Sequence, residues 1–310
     1  MIEKRPLVTV GIPTYNRTEG LKKTLESISG QTYKNLEIIV SDNCSPNPDV
    51  EKIINEFKST DRRIRYIRQS ENIGALDNFI FVHGQANGVY FMWAADDDWF
   101  DKDYIECCLD YFLENDGHAI VGGQALYVGD SGNVVIESHP LDVNSNSPIQ
   151  RVIDYYRHIS KGRGNCIFYG LMRKDFIDQA HLCNEFAGDS ATVAEMAFMG
   201  KIRTLNSTHI FYRLGGSSKS RKKMVAALKL PKWNAWFPGM ASSHVFIKRI
   251  WTSGVYTLGG VKKLYLSLRV LLIVSKMYDV LTIKSYFWYG VKILKRVSGL
   301  IKKQLCPNCT

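Results

Sequence analysis

Over the first hundred residues, short apolar runs alternate with segments whose apolar side chains recur every three or four positions. Leu7-Val-Thr-Val-Gly-Ile12 has the pattern of a buried strand and runs into the turn Pro13-Thr14-Tyr15-Asn16-Arg17. Residues 18–29 carry Leu21, Leu25 and Ile28 at helical spacing, with Thr18 or Glu19 near the start. The alternation continues with a strand at 36–41 ending at Asp42-Asn43, a helix at 50–57, a strand at 64–68, a helix at 75–86 and a strand at 89–94. This order predicts an α/β fold with a Rossmann-like, mostly parallel sheet flanked by helices. A helix over 101–115 follows. Strands at 119–128 and 133–137 then flank the turn Gly129-Asp130-Ser131-Gly132, and this hairpin makes the sheet mixed. Residues 141–148 read as a polar loop.

Charge divides the chain. The 310 residues carry 40 Lys+Arg and 30 Asp+Glu, a net +10. Of these, 18 basic residues and one acid (Asp279) lie after Ser218, giving +17 there and −7 before it. The expected organisation is therefore one domain over 1–218 and a basic helical region over 219–310 with a different partner. In that region, 264–277 and 286–301 have helical character, but Arg269, Lys276, Lys284, Lys292 and Lys295 interrupt every apolar run, so neither is expected to span a bilayer. Basic amphipathic helices bearing Trp236, Trp251 and Trp288 imply an anionic membrane surface as partner; packing on the catalytic core is the alternative. No nucleic acid partner is expected. The polar segment Met1–Pro6 does not read as a secretory leader, and seven scattered cysteines fit a reducing compartment. The CxxC of Cys306 and Cys309 reads as a tail with two free thiols.

The chemistry concentrates at Asp96-Asp97-Asp98, directly behind the apolar run 89–95. Carboxylates at a strand's carboxyl end sit where open α/β sheets bind ligands. Their mutual repulsion calls for a positive partner, and oxygen-only ligands suit Mn²⁺ or Mg²⁺, which in turn hold phosphates. A solvated acidic turn is the plainer reading of such a triplet. The dinucleotide fingerprint G-x-G-x-x-G does not follow the first strand, which argues against a dehydrogenase.

Four segments together resemble the ordered motifs of family 2 glycosyltransferases with the GT-A fold. They are Val8–Arg17, Glu37–Asn43, Asn72-Ile-Gly74 followed by Asn78, and Ala94–Asp98; the likeness extends over about 7–217. The resemblance implies an inverting, metal-dependent transfer from a nucleoside-diphosphate sugar donor to a lipid-linked saccharide acceptor. It implies work on bacterial surface polysaccharide such as O-antigen, by a cytoplasmic protein peripheral on the inner face of the membrane. Pro13, Thr14, Tyr15, Arg17, Asp42, Asn72, Gly74, Asn78 and Asp96 would contact the donor, and Asp97 and Asp98 would hold Mn²⁺ or Mg²⁺. Asp189, opening a helix, would be the base, with Glu195 as the fallback; the plainer reading of Asp189 is a helix cap. Asn165–Arg173 resembles an acceptor-side strand and Phe211–Ser218 a loop closing over the diphosphate, with Arg213, Lys219 and Arg221 near the phosphates. The sequence departs from the family at Ala94, where relatives often carry Asp, and at Leu214, where they often carry His. Those departures leave open a catalytically weak, membrane-associated scaffold. A sugar nucleotidyltransferase is the other alternative, but the G-x-G-T-R-like loop of those enzymes does not follow the first strand.

Overall fold

A computed structural model describes residues 5–129, 131–161, 166–214, 222, 225, 226 and 228–276. The first half alternates as its pattern predicts: β1 (Val8–Thr14), α1 (Glu19–Ser29), β2 (Leu36–Asp42), α2 (Pro48–Thr60), β3 (Ile64–Arg68), α3 (Ala75–Gly84) and β4 (Tyr90–Trp93). β5 (Trp99–Phe100), α4 (Tyr104–Glu114), β6 (His118–Val128), β7 (Val134–Glu137), β8 (Asp142–Val143) and α5 (Pro148–Ser160) follow. After a 3-10 turn at Cys166–Tyr169 come β9 (Leu171–Arg173), α6 (Lys174–Ile177), α7 (Gly188–Met199) and β10 (Lys201–Arg213). Further helices lie at Pro238–Thr252 and 260–276.

All the strands form one sheet in the order β3-β2-β1-β4-β9-β6-β10-β5, with β7 on β6 and β8 on β10. β3, β2, β1 and β4 are parallel, as are β6 and β10, while β9 runs antiparallel to both β4 and β6. Phe91 and Trp93 of β4 face one core, and Met92 and the following Ala94 the other, as the two-residue period of a strand requires. The second core also takes Leu21, Leu25 and Ile28 from α1 and Ile105 and Leu109 from α4. The first takes α5, α7 and the helix Pro238–Thr252, and Trp93 stacks on Phe168 with ring centroids 4.8 Å apart.

Three segments differ from the sequence reading. The loop expected at 141–148 contains β8, which adds to β10 and buries Val143. The strand expected over 165–173 is reached only as β9 at Leu171–Arg173, with the 3-10 turn Cys166–Tyr169 before it and Gly170 between, where a Cβ would meet Ile120 and the Val121 carbonyl. The closing loop expected over 211–218 begins as the end of β10, with Phe211 paired to Trp99.

The region after residue 218 joins the same core where it is described. Val245, Phe246, Ile250, Leu266, Val270 and Val274 pack into the first cluster. The 286–301 helix, Lys219, Arg221 and the Cys306–Cys309 pair lie outside the described residues.

Candidate active site

β1, β2 and β4 run parallel and in register, so their carboxyl ends reach one edge of the sheet. There Thr14 lies opposite Asp42, and Ala94 donates its N–H to the Gly11 carbonyl at 2.9 Å. The chain after β4 folds over this edge. The Thr14 hydroxyl donates to Asp96 Oδ2 at 2.8 Å and the Tyr15 N–H to the same oxygen at 3.3 Å. Arg17 Nη1 reaches Asp96 Oδ1 at 2.8 Å and Asp97 Oδ2 at 2.5 Å, so one guanidinium neutralises two carboxylates. Burial works against the Arg17 charge, but Asp96 and Asp97 outweigh it and raise its pKa.

Asp98 is treated differently. It is buried, and its Oδ1 accepts the Arg213 backbone N–H at 3.3 Å. Desolvation first, and then the Asp97 charge, push its pKa up to about 8. The loop is pinned from below by α1: the buried Thr24 hydroxyl lies 2.7 Å from the Asp98 carbonyl oxygen and 3.1 Å from that of Ala95. Gly20 lets the helix come that close.

These groups line a cavity of about 440 Å³. Pro13, Thr14, Tyr15, Arg17, Asn78 and Asp96–Asp98 all face it, and Arg213 completes the rim. Asn78 is tied to β2 by accepting from the Ser41 hydroxyl at 2.6 Å and donating to the Ser41 carbonyl at 2.9 Å. Asp42, Asn72 and Gly74 stand behind this wall. Asp42 is wholly buried and accepts from Ser45 N–H at 2.9 Å, Tyr66 Oη at 3.3 Å and Arg68 Nη1 at 2.5 Å. Asn72 Oδ1 accepts from Gly74 N–H and Asn43 Nδ2, each at 3.0 Å, fixing the turn in which Gly74 takes φ 98° to start α3. Asn43 therefore places the Asn72–Gly74 segment and also faces the cavity.

A second cavity of about 440 Å³ adjoins the first and shares Ala75, Phe79 and Tyr169 with it. Phe168, Leu182 and Phe186 make it largely apolar, and Asp189, the second residue of α7, lies on its wall. The Tyr169 hydroxyl sits in the field of both cavities: burial first, then Asp98, Asp189, Asp97 and Asp96, raise its pKa. Glu195 lines neither cavity. It is wholly buried, and its Oε2 accepts the His181 N–H at 2.7 Å with Arg249 Nη1 at 3.5 Å.

His209 is engaged by Asp101, 2.7 Å from its Nδ1, and among the described residues no group of three or more His, Cys, Asp and Glu is gathered for a metal. Trp99 packs between Phe211, on which it stacks, and the Lys23 ammonium 3.1 Å from its ring centre. Of the groups built into the site, Gly20, Thr24 and Phe79 carried no signal of their own in the sequence, since single residues of these types are ordinary core or loop constituents.

The Glycosyl transferase family 2 profile matches residues 9–180, more than half of the chain. The chain is a family 2 glycosyltransferase. Similar curated proteins include the GalNAc(5)-diNAcBac-PP-undecaprenol beta-1,3-glucosyltransferase of Campylobacter jejuni, 27% identical over 73% of this chain and 74% of that one. Another is the putative teichuronic acid biosynthesis glycosyltransferase TuaG of Bacillus subtilis, 26% identical over 85% of this chain and 99% of that one. Among solved structures, S. aureus TarS 1-349 in complex with UDP-GlcNAc shares the fold of this glycosyltransferase. Its TM-score is 0.56 at 15% identity, over 88% of this chain and 72% of that one. The mannosyltransferase PcManGT from Pyrobaculum calidifontis, in complex with GDP-Man and Mn2+, superposes with a TM-score of 0.51 at 12% identity, covering 95% and 81%. The central, mostly parallel sheet of this glycosyltransferase is accordingly a GT-A fold.

Proposed function

We propose that this glycosyltransferase moves a sugar, with inversion, from a nucleoside-diphosphate donor in the first cavity to a lipid-linked saccharide in the second, during surface-polysaccharide synthesis. The observation that carries the reading is the pair of adjoining cavities: carboxylates and arginines line one, Asp189 lines the other, and Tyr169 stands between them. Pro13, Thr14, Tyr15, Asn78 and Asp96 edge the nucleoside, and Arg17 and Arg213 offer planar donors to phosphate oxygens. Asp42, Asn72 and Gly74 support that wall from behind.

Asp97 and Asp98 fit Mn²⁺ or Mg²⁺: both are hard oxygen donors on the cavity, and such ions need only one or two carboxylates besides substrate phosphates. A buried carboxyl with its pKa raised toward 8 is also a group that a nearby cation would relieve. Bound there, a divalent ion supplies positive charge to the leaving diphosphate. Asp189 takes the proton of the acceptor hydroxyl as its oxygen bonds to the anomeric carbon, and the opposite carbon–oxygen bond breaks with its electron pair going to the diphosphate.

A lipid-linked acceptor is supported by the Campylobacter relative, whose name places its substrate on undecaprenol. The surface of the helix 260–276 supports a peripheral position on the inner face of the cell membrane. Its Leu266, Val270 and Val274 are buried, while Val261, Leu264, Leu268 and Leu272 are more than half exposed beside Lys262, Lys263, Arg269 and Lys276. Among the described residues no helix is long and apolar enough to cross a membrane. The reading is tested by incubating the protein with Mn²⁺ or Mg²⁺ and a panel of nucleotide sugars and measuring release of nucleoside diphosphate. Metal-dependent release from one donor, lowered at least ~100-fold in Asp97→Ala, is expected. Release that ignores both metal and Asp97 would overturn the assignment.

A further inference from the structure

Helix α7 begins awkwardly. Ala187, the residue before it, has φ 56°, a left-handed conformation that an alanine adopts only when its surroundings impose it. The segment 181–187 leading into it has no regular secondary structure of its own, yet it walls the second cavity through Leu182, Phe186 and Ala187. What holds it is a side chain from the far end of the described chain.

Arg249 lies on the helix Pro238–Thr252 and is 4% exposed. Its Nη1 donates to the His181 carbonyl at 2.7 Å and lies 3.1 Å from the Thr192 hydroxyl oxygen. Nε donates to Glu185 Oε2 at 3.0 Å, and Nη2 lies 3.8 Å from Cys183 Sγ. Thr192 sits one turn into α7, and its hydroxyl is 2.7 Å from the His181 carbonyl oxygen and 3.0 Å from that of Gly188. The guanidinium thus grips the chain on both sides of Asp189, through His181, Cys183 and Glu185 before it and Thr192 after it. A planar, five-donor group suits several acceptors at once in a way an ammonium does not.

We infer that Arg249 is a positioning residue for Asp189: it fixes the 181–188 segment and the first turn of α7, and so sets the carboxylate's place in the second cavity. The C-terminal region, outside residues 9–180 that carry the family profile, then completes the active site as well as extending the protein toward a surface. The inference rests on the proposed role of Asp189 as base. It predicts that Arg249 variants change turnover and not donor affinity, since the first cavity is built from other elements.

The test uses the full chain, Mn²⁺ and UDP- and GDP-sugars, with water in place of the acceptor, following nucleoside diphosphate release. Arg249→Lys keeps a positive charge beside Glu185 and Glu195 but loses the multiple grip; Thr192→Val removes the bridging hydroxyl and leaves all charges in place. Each is expected to lower kcat ~10-fold or more with KM for the donor unchanged. Combined with Asp189→Asn, each is expected to add no further loss, because both changes remove the same contribution. Losses that multiply in the double variants, a KM that rises in step with falling kcat, or wild-type turnover in both single variants would overturn the inference. No metal-dependent release by the unmodified protein from any donor would instead sink the proposed function, and the inference with it.

Discussion

Gly20→Ala puts a methyl group between α1 and the loop that carries the carboxylates. A Cβ on residue 20 would lie 2.4 Å from the Asp96 carbonyl oxygen and 3.0 Å from Asp97 Cα, where ordinary contact begins at 3.4 Å. Both neighbours are backbone, so no side chain can swing aside, and the loop or the helix must move by about 1 Å. Overpacking of this kind costs ~1–3 kcal/mol. Alanine in a helix returns up to ~1 kcal/mol relative to glycine, leaving a net loss of about 0–2 kcal/mol. For a chain of this size that is a fall in Tm of at most several degrees. The effect on chemistry is larger, because misplacing reacting groups by ~1 Å costs about 100-fold in rate. The variant is therefore expected to melt almost normally and to turn over ~100-fold more slowly in the metal-dependent release assay. Gly84→Ala, at the end of α3 with nothing within 4 Å of the added atom, is the control for the helix term alone. Wild-type turnover in Gly20→Ala would refute the claim that α1 sets the position of the Asp loop. A loss of activity fully matched by unfolding would do the same.

Arg68→Met removes the cation from the wholly buried Asp42, which keeps only the Ser45 N–H and the Tyr66 hydroxyl as donors, and should destabilise the fold. The urea midpoint reads the loss, which Asp42→Asn in the same chain should partly restore; an unchanged midpoint would show that the pair carries no stability. The raised pKa of Asp98 sets a pH dependence in protein kept free of divalent metal. The folded state holds this proton up to about 8 while the unfolded chain releases it near 3.8, so stability is fully present below 3.8 and falls as pH rises toward 8. The slope is at most ~1.4 kcal/mol per pH unit. Asp98→Asn should flatten it in melts between pH 5 and pH 8, and a profile identical to the unmodified protein's would refute the assignment to Asp98. Leu264→Glu with Leu268→Glu, both on the exposed row of the helix 260–276, should lower co-sedimentation with vesicles containing phosphatidylglycerol at least ~10-fold. Equal binding of the double variant would move the membrane contact elsewhere.

The parallel half of the fold was legible because its signals are local. Val8, Val10 and Ile12 recur at the strand period and Leu21, Leu25 and Ile28 at the helical one, and each set buries where its period puts it. β8 was not legible, and β9 only within a longer expected strand, for the same reason in reverse. Strands of two and three residues have no room for an alternation, and their pairing is decided by β10 and by β4 and β6, far away in sequence. At Gly170, between the 3-10 turn and β9, a Cβ would lie 3.0 Å from the Val121 carbonyl, a tertiary constraint that the residues around it do not announce.

The site divides along the same line. Thr14, Arg17 and Asp96–Asp98 could be named from the sequence because strand ends carry them to one edge of the sheet, and their chemistry is written in consecutive residues. The roles of Asp42 and Arg249 could not, because each depends on its partner. Asp42 is held by Arg68, Tyr66 and Ser45, and Arg249, one of the 18 basic residues after Ser218, is held by partners before and within α7. A basic residue bound for solvent and one bound for a buried carboxylate look identical in composition, and only burial tells them apart: Arg249 is 4% exposed, whereas the side chain of its neighbour Lys248 is 52% exposed. Among the described basic residues there, Arg249 is buried against α7, whereas Lys262 and Lys276 of the helix 260–276 are exposed. The two proposals meet in one place: a surface contact on the helix 260–276 would lie on an element that shares a core cluster with the helix carrying Arg249.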